Sequence, residues 1–277
     1  MTAKTHLIGL ALVVSAFLGA STRAQQPATA TQTNLDYQVS GVLYSQKAAE
    51  YRALAYQAFN LARERLDADF DKKNLKKLPK ATRKMPRAIV VDIDETVLDN
   101  SPSNAKQIVT NTPFNTKDWY AWGEMRKAKA VPGAVDFLNY AVSKGVKIFY
   151  ISNRDEVQRQ ATVDNLKSAG FNDVATERVM LRVNGESPKG PRRDVVSATY
   201  RIVLLVGDNL DDFASAFEKR SIAERFAEAD RMRDQWGSRF IVLPNAMYGT
   251  WENAIYEHQR LTEAQKAEKR AAALELP

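Results

Sequence analysis

The sequence has no cysteine among its 277 residues. That excludes disulfides as a source of stability and thiolates as nucleophiles. It also removes the lipid-bearing cysteine that tethers bacterial lipoproteins. Histidine is nearly as scarce, with only His6 and His258 present. Histidine nucleophiles, multi-histidine metal centres and Ser–His–Asp triads are therefore disfavoured, and His258 reads as a surface residue on the last helix. Neither a G-x-x-x-x-G-K-[ST] loop nor a G-x-G-x-x-G turn occurs, which sets aside the phosphate cradles of P-loop and dinucleotide-binding folds. Apolar runs long enough for a membrane are missing as well. Leu7–Ala20 has 14 residues, short of the roughly 20 that span a bilayer.

What is present begins with a targeting signal. Lys4, the apolar run and the small-residue context Ser21–Ala24 form the n-region, h-region and cleavage pattern of a secretory signal. Residues 1–24 are thus expected to be removed near Ala24, giving a periplasmic or secreted product with no stable membrane anchor. Loss of Lys4 and Arg23 lowers the net charge from +7 to +5. Residues 25–36, rich in Ala, Thr and Gln, read as a disordered linker. Residues 37–87 hold an N-terminal helix, from the apolar spacing over Leu43–Leu66, and a basic segment, Asp71–Arg87. That segment reads as a solvated linker. It has no aromatic to stack on a base, so no nucleic-acid polymer is expected as partner.

From residue 88 the pattern changes. Ala88–Val91, Val146–Ile151 and Ile202–Val206 are short apolar runs of the kind that form buried parallel strands, and Arg239–Leu243 is a fourth candidate. Amphipathic stretches at Gly133–Lys144 and Glu156–Ala169 end at Gly145 and Gly170, the glycines that stop helices. The spacing predicts an α/β, Rossmann-like fold over 88–250, with a mostly parallel open sheet and a final helix over 251–274 within a 251–277 tail. In such sheets ligands bind beyond the carboxyl ends of the strands. Three strands end in polar clusters: Asp92-Ile-Asp94, Ser152-Asn153-Arg154 and Gly207-Asp208-Asn209. They should meet in one crevice.

Two carboxylates at i and i+2, joined by Asp208, Asp211 and Asp212, would repel strongly unless a divalent cation lay among them. Donors that are all hard oxygens suit Mg²⁺ better than zinc. With cysteine absent and histidine marginal, the available nucleophile is a carboxylate, which can carry a phosphoryl group and divide one hard displacement into two.

Four motifs in order then establish a resemblance. Asp92-Ile-Asp94-Glu95-Thr96, Ser152, Lys189 and Gly207-Asp208-Asn209-Leu210-Asp211-Asp212 resemble motifs I to IV of the haloacid-dehalogenase-like (HAD) phosphatases. V-D-I-D-E-T-V-L-D-N, I-S-N-R, S-P-K and V-G-D-N-L-D-D-F look more narrowly like the bacterial class C nonspecific acid phosphatases, a family that includes outer-membrane lipoprotein 5′-nucleotidases. The resemblance runs from about Tyr44 to Gly249. It implies a Mg²⁺-dependent phosphomonoester hydrolase with an acidic optimum, in which Asp92 attacks phosphorus. Asp94 would protonate the leaving oxygen and then activate water. Asp92, the main-chain carbonyl of Asp94, and Asp208 would hold Mg²⁺. Asp212 would ligate it, directly or through water, or orient Lys189, while Ser152 and Lys189 would grip the phosphoryl oxygens. Asp99 and Asp211 read as helix-start or solvent-facing acids.

Between motif I and Gly133 lies an insertion, 101–131, with Phe114, Trp119, Tyr120 and Trp122. With the N-terminal and C-terminal helices it is expected to form a mainly helical cap. Trp122 and Tyr248 are the expected base-stacking pair for a nucleotide substrate. Two other readings stay open: transfer of the phosphoryl group to an alcohol, and a non-catalytic anion-binding protein of the same fold.

Overall fold

The central strands are apolar on both sides because both sides are covered. In the computed structural model, which describes residues 35–277, β1 (Arg87–Val91) sends Ile89 and Val91 into one core layer and Ala88 and Val90 into the other. Residues at period 2 face opposite ways, so only a strand with two apolar neighbours reads as an unbroken run. A two-residue antiparallel ribbon follows, β2 (Leu98–Asp99) with β3 (Lys129–Ala130). The other strands are β4 (Lys147–Asp155), β5 (Val179–Arg182), β6 (Arg201–Gly207) and β7 (Phe240–Val242). They form a five-stranded sheet in the order β5-β4-β1-β6-β7, and every pairing in it is parallel.

One face packs against the helices Ala49–Phe70 and Ala134–Ser143, with Phe59 and Phe137 rings 5.9 Å apart. The other carries Val196 of the helix Gly190–Ser197 and a cluster of Phe213, Trp236 and Phe240. The insertion supplies two helices, Ser101–Val109 and Thr116–Met125. The first described turn meets the last helix, where the Arg270 guanidinium stacks 3.6 Å from the Tyr37 ring centroid.

Several expected boundaries are corrected. The single N-terminal helix is two, Val39–Lys47 and Ala49–Phe70, divided where Ala48 turns extended. Neither Gly nor Pro marks that break, so periodicity alone runs through it. The final helix is also two, Thr250–Ile255 and Glu263–Ala272, because Glu257 and His258 adopt positive φ between them. Asp71 caps a short helix, Lys72–Lys77, inside the basic stretch expected to be linker, and Lys80–Lys84 forms another. Leu35 is buried and a 3₁₀ turn begins at Asp36, both within the stretch expected to be disordered. The edge strand β5 lies outside the strand reading, since only Val179 and Leu181 of its four residues are buried. The expected signal, 1–24, lies outside the described residues. Among the described residues no helix is long and apolar enough to cross a membrane.

At the foot of the sheet, Asp69 binds Arg201 through both carboxylate oxygens (2.5 and 2.6 Å) and Arg87 at 2.6 Å, pinning the long helix to the starts of β1 and β6. Burial opposes the Asp69 charge, but hydrogen bonds from Arg201 and then Arg87 outweigh it and hold the carboxyl below its ordinary pKa. A depressed folded-state pKa contributes stability above the unfolded value, roughly 3.9, and that contribution disappears as pH falls through the folded value. Asp69→Ala should therefore lower the unfolding free energy at neutral pH by about 2–3 kcal/mol. The gap to wild type should close in strong acid. Urea unfolding at the two pH values measures both.

Candidate active site

The cleft lies where the topology requires, beyond the carboxyl ends of β1, β4 and β6. It has a volume of about 940 Å³, and Asp92, Asp94, Lys189, Asp208 and Asp212 line it. Local chain geometry sets the first two. Asp92 follows directly on β1, its N–H donating to the Val206 carbonyl (2.9 Å). The chain then reverses through Glu95, whose φ is +61°. That left-handed conformation costs a non-glycine residue about 1–3 kcal/mol. The turn is held by Glu95 N–H to Leu98 O (2.8 Å), Val97 N–H to Ile93 O (2.9 Å), and the buried side chains of Ile93 and Val97. Glu95 itself is buried, accepting from Asn100 N–H (2.8 Å) and from the Tyr248 hydroxyl. Burial, then the nearby charges of Asp94 and Asp208, push its carboxyl well above the usual range.

The two expected catalytic acids have different partners. Asp92 forms an ion pair with Lys189 and lies 3.4 Å from the Thr96 hydroxyl. Asp94 meets none of these. Its carboxylate accepts from Asn100 Nδ2 (2.8 Å), Ser152 Oγ (3.2 Å) and the guanidinium of Arg154 (2.8–3.3 Å). Burial raises Asp92 well above its ordinary pKa; Lys189 opposes that, while Asp212, Asp208 and Asp94 add to it.

Lys189 precedes the helix Gly190–Ser197 and also binds Asp212 at 2.6 Å. Burial works against its charge, but Asp212 and Asp92 prevail and raise its pKa. Asp208 follows β6 and accepts from Thr96 (2.9 Å) and Asn245 (2.8 Å). Its pKa is pushed up to about 6 by burial and then by Asp212, against those two hydrogen bonds. Oxygens of Asp92, Asp208 and Asp212 lie within 4.8 Å of one another. Such a set of hard donors, poor in compensating charge, fits a divalent cation.

Other expected residues are placed as follows. Ser152 is fully buried within β4, its hydroxyl on Asp94, and the strand runs on through the polar cluster to Asp155. Asp99 receives the Ser101 N–H at a helix start, and Asp211 pairs with Arg225. His258 sets its Nε2 2.9 Å from the Arg220 carbonyl. Trp122 departs from expectation: its indole N–H donates to Asn100 Oδ1 (2.8 Å), its ring packs on the core, and it is not among the cleft-lining residues. Tyr248 does line the cleft, together with Phe114 and Trp119 of the insertion. Sequence reasoning assigned nothing to Asn100, Arg154 or Asn245. Arg154 stood in a polar cluster at a strand end, and Asn100 closed the motif that carries the family resemblance; neither position was given a role.

Comparison with known proteins gives relatives for the sequence and the fold. A family model described as HAD superfamily, subfamily IIIB (Acid phosphatase), matches residues 2–251. The structure of the Class C acid phosphatase from Bacillus anthracis with tungstate bound is similar at a TM-score of 0.80 and 40% identity, covering 87% of this chain and 98% of that one. A second structure of that enzyme gives 0.80 and 39%. Acid phosphatase 1 of Solanum lycopersicum is 29% identical over 130 residues, 44% of this chain and 50% of the relative. Vegetative storage protein 2 of Arabidopsis thaliana is 24% identical over 130 residues, 44% of this chain and 48% of the relative. The chain thus spans about half the length of these two curated relatives.

Gly207 is needed for the approach of Asp212. A Cβ there would lie 2.6 Å from Asp212 Cβ. Gly207→Ala should push Asp212 off Lys189 while leaving the Asp92–Lys189 pair, at a cost of about 1–3 kcal/mol from overpacking. Thermal unfolding and a crystal structure of the variant check the two parts.

Proposed function

The chain belongs to the subfamily IIIB acid phosphatases of the HAD superfamily, phosphomonoester hydrolases by class, and from that premise we propose that it works through an aspartyl-phosphate on Asp92. The observation that carries this reading is the unequal pairing of two acids only two residues apart. Asp92 lies against a buried ammonium, and Asp94 lies away from it, against a guanidinium, an amide and a hydroxyl. One is suited to meet phosphorus, the other to exchange a proton.

An oxygen of Asp92 bonds to phosphorus as the ester P–O bond breaks, and Asp94 delivers its proton to the departing oxygen. Water then attacks the phosphoryl-Asp92, giving a proton back to Asp94 and releasing phosphate and the free carboxylate. Protonating the leaving group contributes about 10²–10⁴ in rate. Lys189 holds the phosphoryl oxygens, its charge offsetting the negative charge that builds in the transition state, and Ser152 would join it only by turning its buried hydroxyl from Asp94. Asp92, Asp208, the Asp94 main-chain carbonyl and, directly or through water, Asp212 would hold Mg²⁺. When bound, the cation supplies the positive charge that lets a carboxylate approach an anionic phosphoryl group.

Nucleoside 5′-monophosphates are the proposed substrates, among other phosphomonoesters. What supports this is the aromatic wall of the cleft, where Phe114, Trp119 and Tyr248 supply rings of the kind that stack on bases. Export rests on the composition of residues 1–24.

Hydrolysis of p-nitrophenyl phosphate and AMP should require a divalent cation, with Mg²⁺ restoring activity after chelation. Asp92→Asn should lose at least about 10³-fold in kcat. Substantial metal-free turnover, or a near-wild-type Asp92→Asn enzyme, would sink the proposal. Trapped phosphoenzyme should carry its mass increment on the peptide holding Asp92.

A further inference from the structure

Arg154 is the largest fully buried side chain among the described residues, and it is 1% exposed. A buried cation is tolerated only where its donors are matched. Here each nitrogen has a partner. Nε lies 2.9 Å from Asp94 Oδ1, and Nη2 lies 2.8 Å from the same oxygen and 3.2 Å from Asn100 Oδ1. Nη1 donates to Thr162 Oγ1 at 3.2 Å. The Trp119 ring covers the group, its centroid 5.4 Å from the guanidinium carbon.

Seen from Asp94, the contacts are unequal. Oδ1 takes three close donors: Arg154 Nε, Arg154 Nη2 and Asn100 Nδ2, all at 2.8–2.9 Å. Oδ2 has only longer ones, Ser152 Oγ at 3.2 Å and Arg154 Nε at 3.3 Å. Asn100 is in turn fixed by Trp122, whose indole N–H reaches its Oδ1 at 2.8 Å. Two nitrogens of one rigid guanidinium plane converge on the single oxygen Oδ1, so the group sets direction as well as charge, which a point-like ammonium does not.

We infer that Arg154, braced by Asn100, is the positioning residue of the proton transfer: it clamps Asp94 Oδ1 and leaves Oδ2 as the oxygen that gives the proton to the leaving group and takes it back from water. This rests on the assignment of Asp94 as the acid and base. In the first step the proton passes from Oδ2 to the ester oxygen as that oxygen's bond to phosphorus breaks. In the second it returns from the attacking water to the same oxygen.

The test is leaving-group dependence. A p-nitrophenolate needs little protonation to depart, and the 5′-alkoxide of AMP needs much. Arg154→Lys keeps the charge and loses the fork; Asn100→Ala keeps Arg154 and loses the brace. Both should lower kcat/KM for AMP by about 10²-fold, and for p-nitrophenyl phosphate by less than about fivefold. A merely structural role would lower the folded, active fraction and so reduce both substrates alike, which thermal unfolding of each variant checks directly. Asp94→Asn on the same pair separates the two claims. If it is selective against AMP while both other variants lose the substrates equally or not at all, Asp94 keeps its role and the Arg154 proposal is overturned. If Asp94→Asn itself shows no selectivity, the acid assignment fails and the proposal falls with it. In an Asp94→Asn background, Arg154→Lys should add less than about twofold.

Discussion

Lys189 lies between Asp92 and Asp212, bound to both, and the cleft floor depends on that contact. The parallel sheet delivers carboxylates from β1 and β6 to one edge, where Asp92, Asp208 and Asp212 oxygens come within 4.8 Å of each other. Water that would screen them is largely excluded, and burial is the first cause of the raised values of Asp92 and Asp208. Lys189 comes from neither strand. Placed at the start of a helix that packs on the second face, it ties two strand ends to a third element through hydrogen-bonded ion pairs. Gly207 leaves room for Asp212 to reach it, and the Asn209 N–H (3.0 Å) fixes the other Asp212 oxygen. Lys189 and Arg154 still leave Asp92, Asp94, Asp208 and Asp212 short of positive charge, which is why the donor set suits a divalent ion.

Division of labour between Asp92 and Asp94 follows from one turn. A spacing of two sends both side chains to the same side of the strand end. The left-handed Glu95 then bends the chain so that Asp94 meets β4 while Asp92 stays with Lys189. That strain is held in place by burying the Glu95 side chain against Asn100 N–H and the Tyr248 hydroxyl. The same contact joins the motif I turn to the aromatic wall, so chemistry and substrate recognition share a support.

Buried parallel strands were legible because β1, β4 and β6 are apolar on both faces, and their polar ends mark the crevice in the sequence itself. The acids were legible for a related reason: charge at the end of a buried strand has few purely structural explanations. The four-residue strand β5 was not, since an edge strand with two exposed residues has no pattern distinct from a loop. Helix breaks at Ala48 and at Glu257–His258 came from backbone dihedrals that no Gly or Pro announced. Trp122 and Trp119, three residues apart on one short helix, could not be told apart by type. The fold turns Trp119 to the cleft and Trp122 to Asn100. Asn100 and Asn245 act through neighbours 54 and 37 positions away, Arg154 and Asp208, a relation that only tertiary structure supplies.

The basic stretch that dominates the chain's charge cannot serve the cleft. It ends at Arg87, the first residue of β1, at the amino end of the strand, and the cleft lies past the carboxyl end. Five residues of parallel strand rise about 3.3 Å each, or roughly 16 Å, about twice the screening length of ~8 Å at physiological ionic strength. Arg87 itself is already engaged by Asp69. Charge that draws an anionic ester inward has to be local, and Lys189 supplies it on the floor beside Asp92 and Asp212. The rest of the lining mixes signs: Arg182 and Lys266 pair with Asp155 and Glu263, and Lys219 shares the wall with Glu218 and Glu252. A net charge read from composition does not show where charge stands.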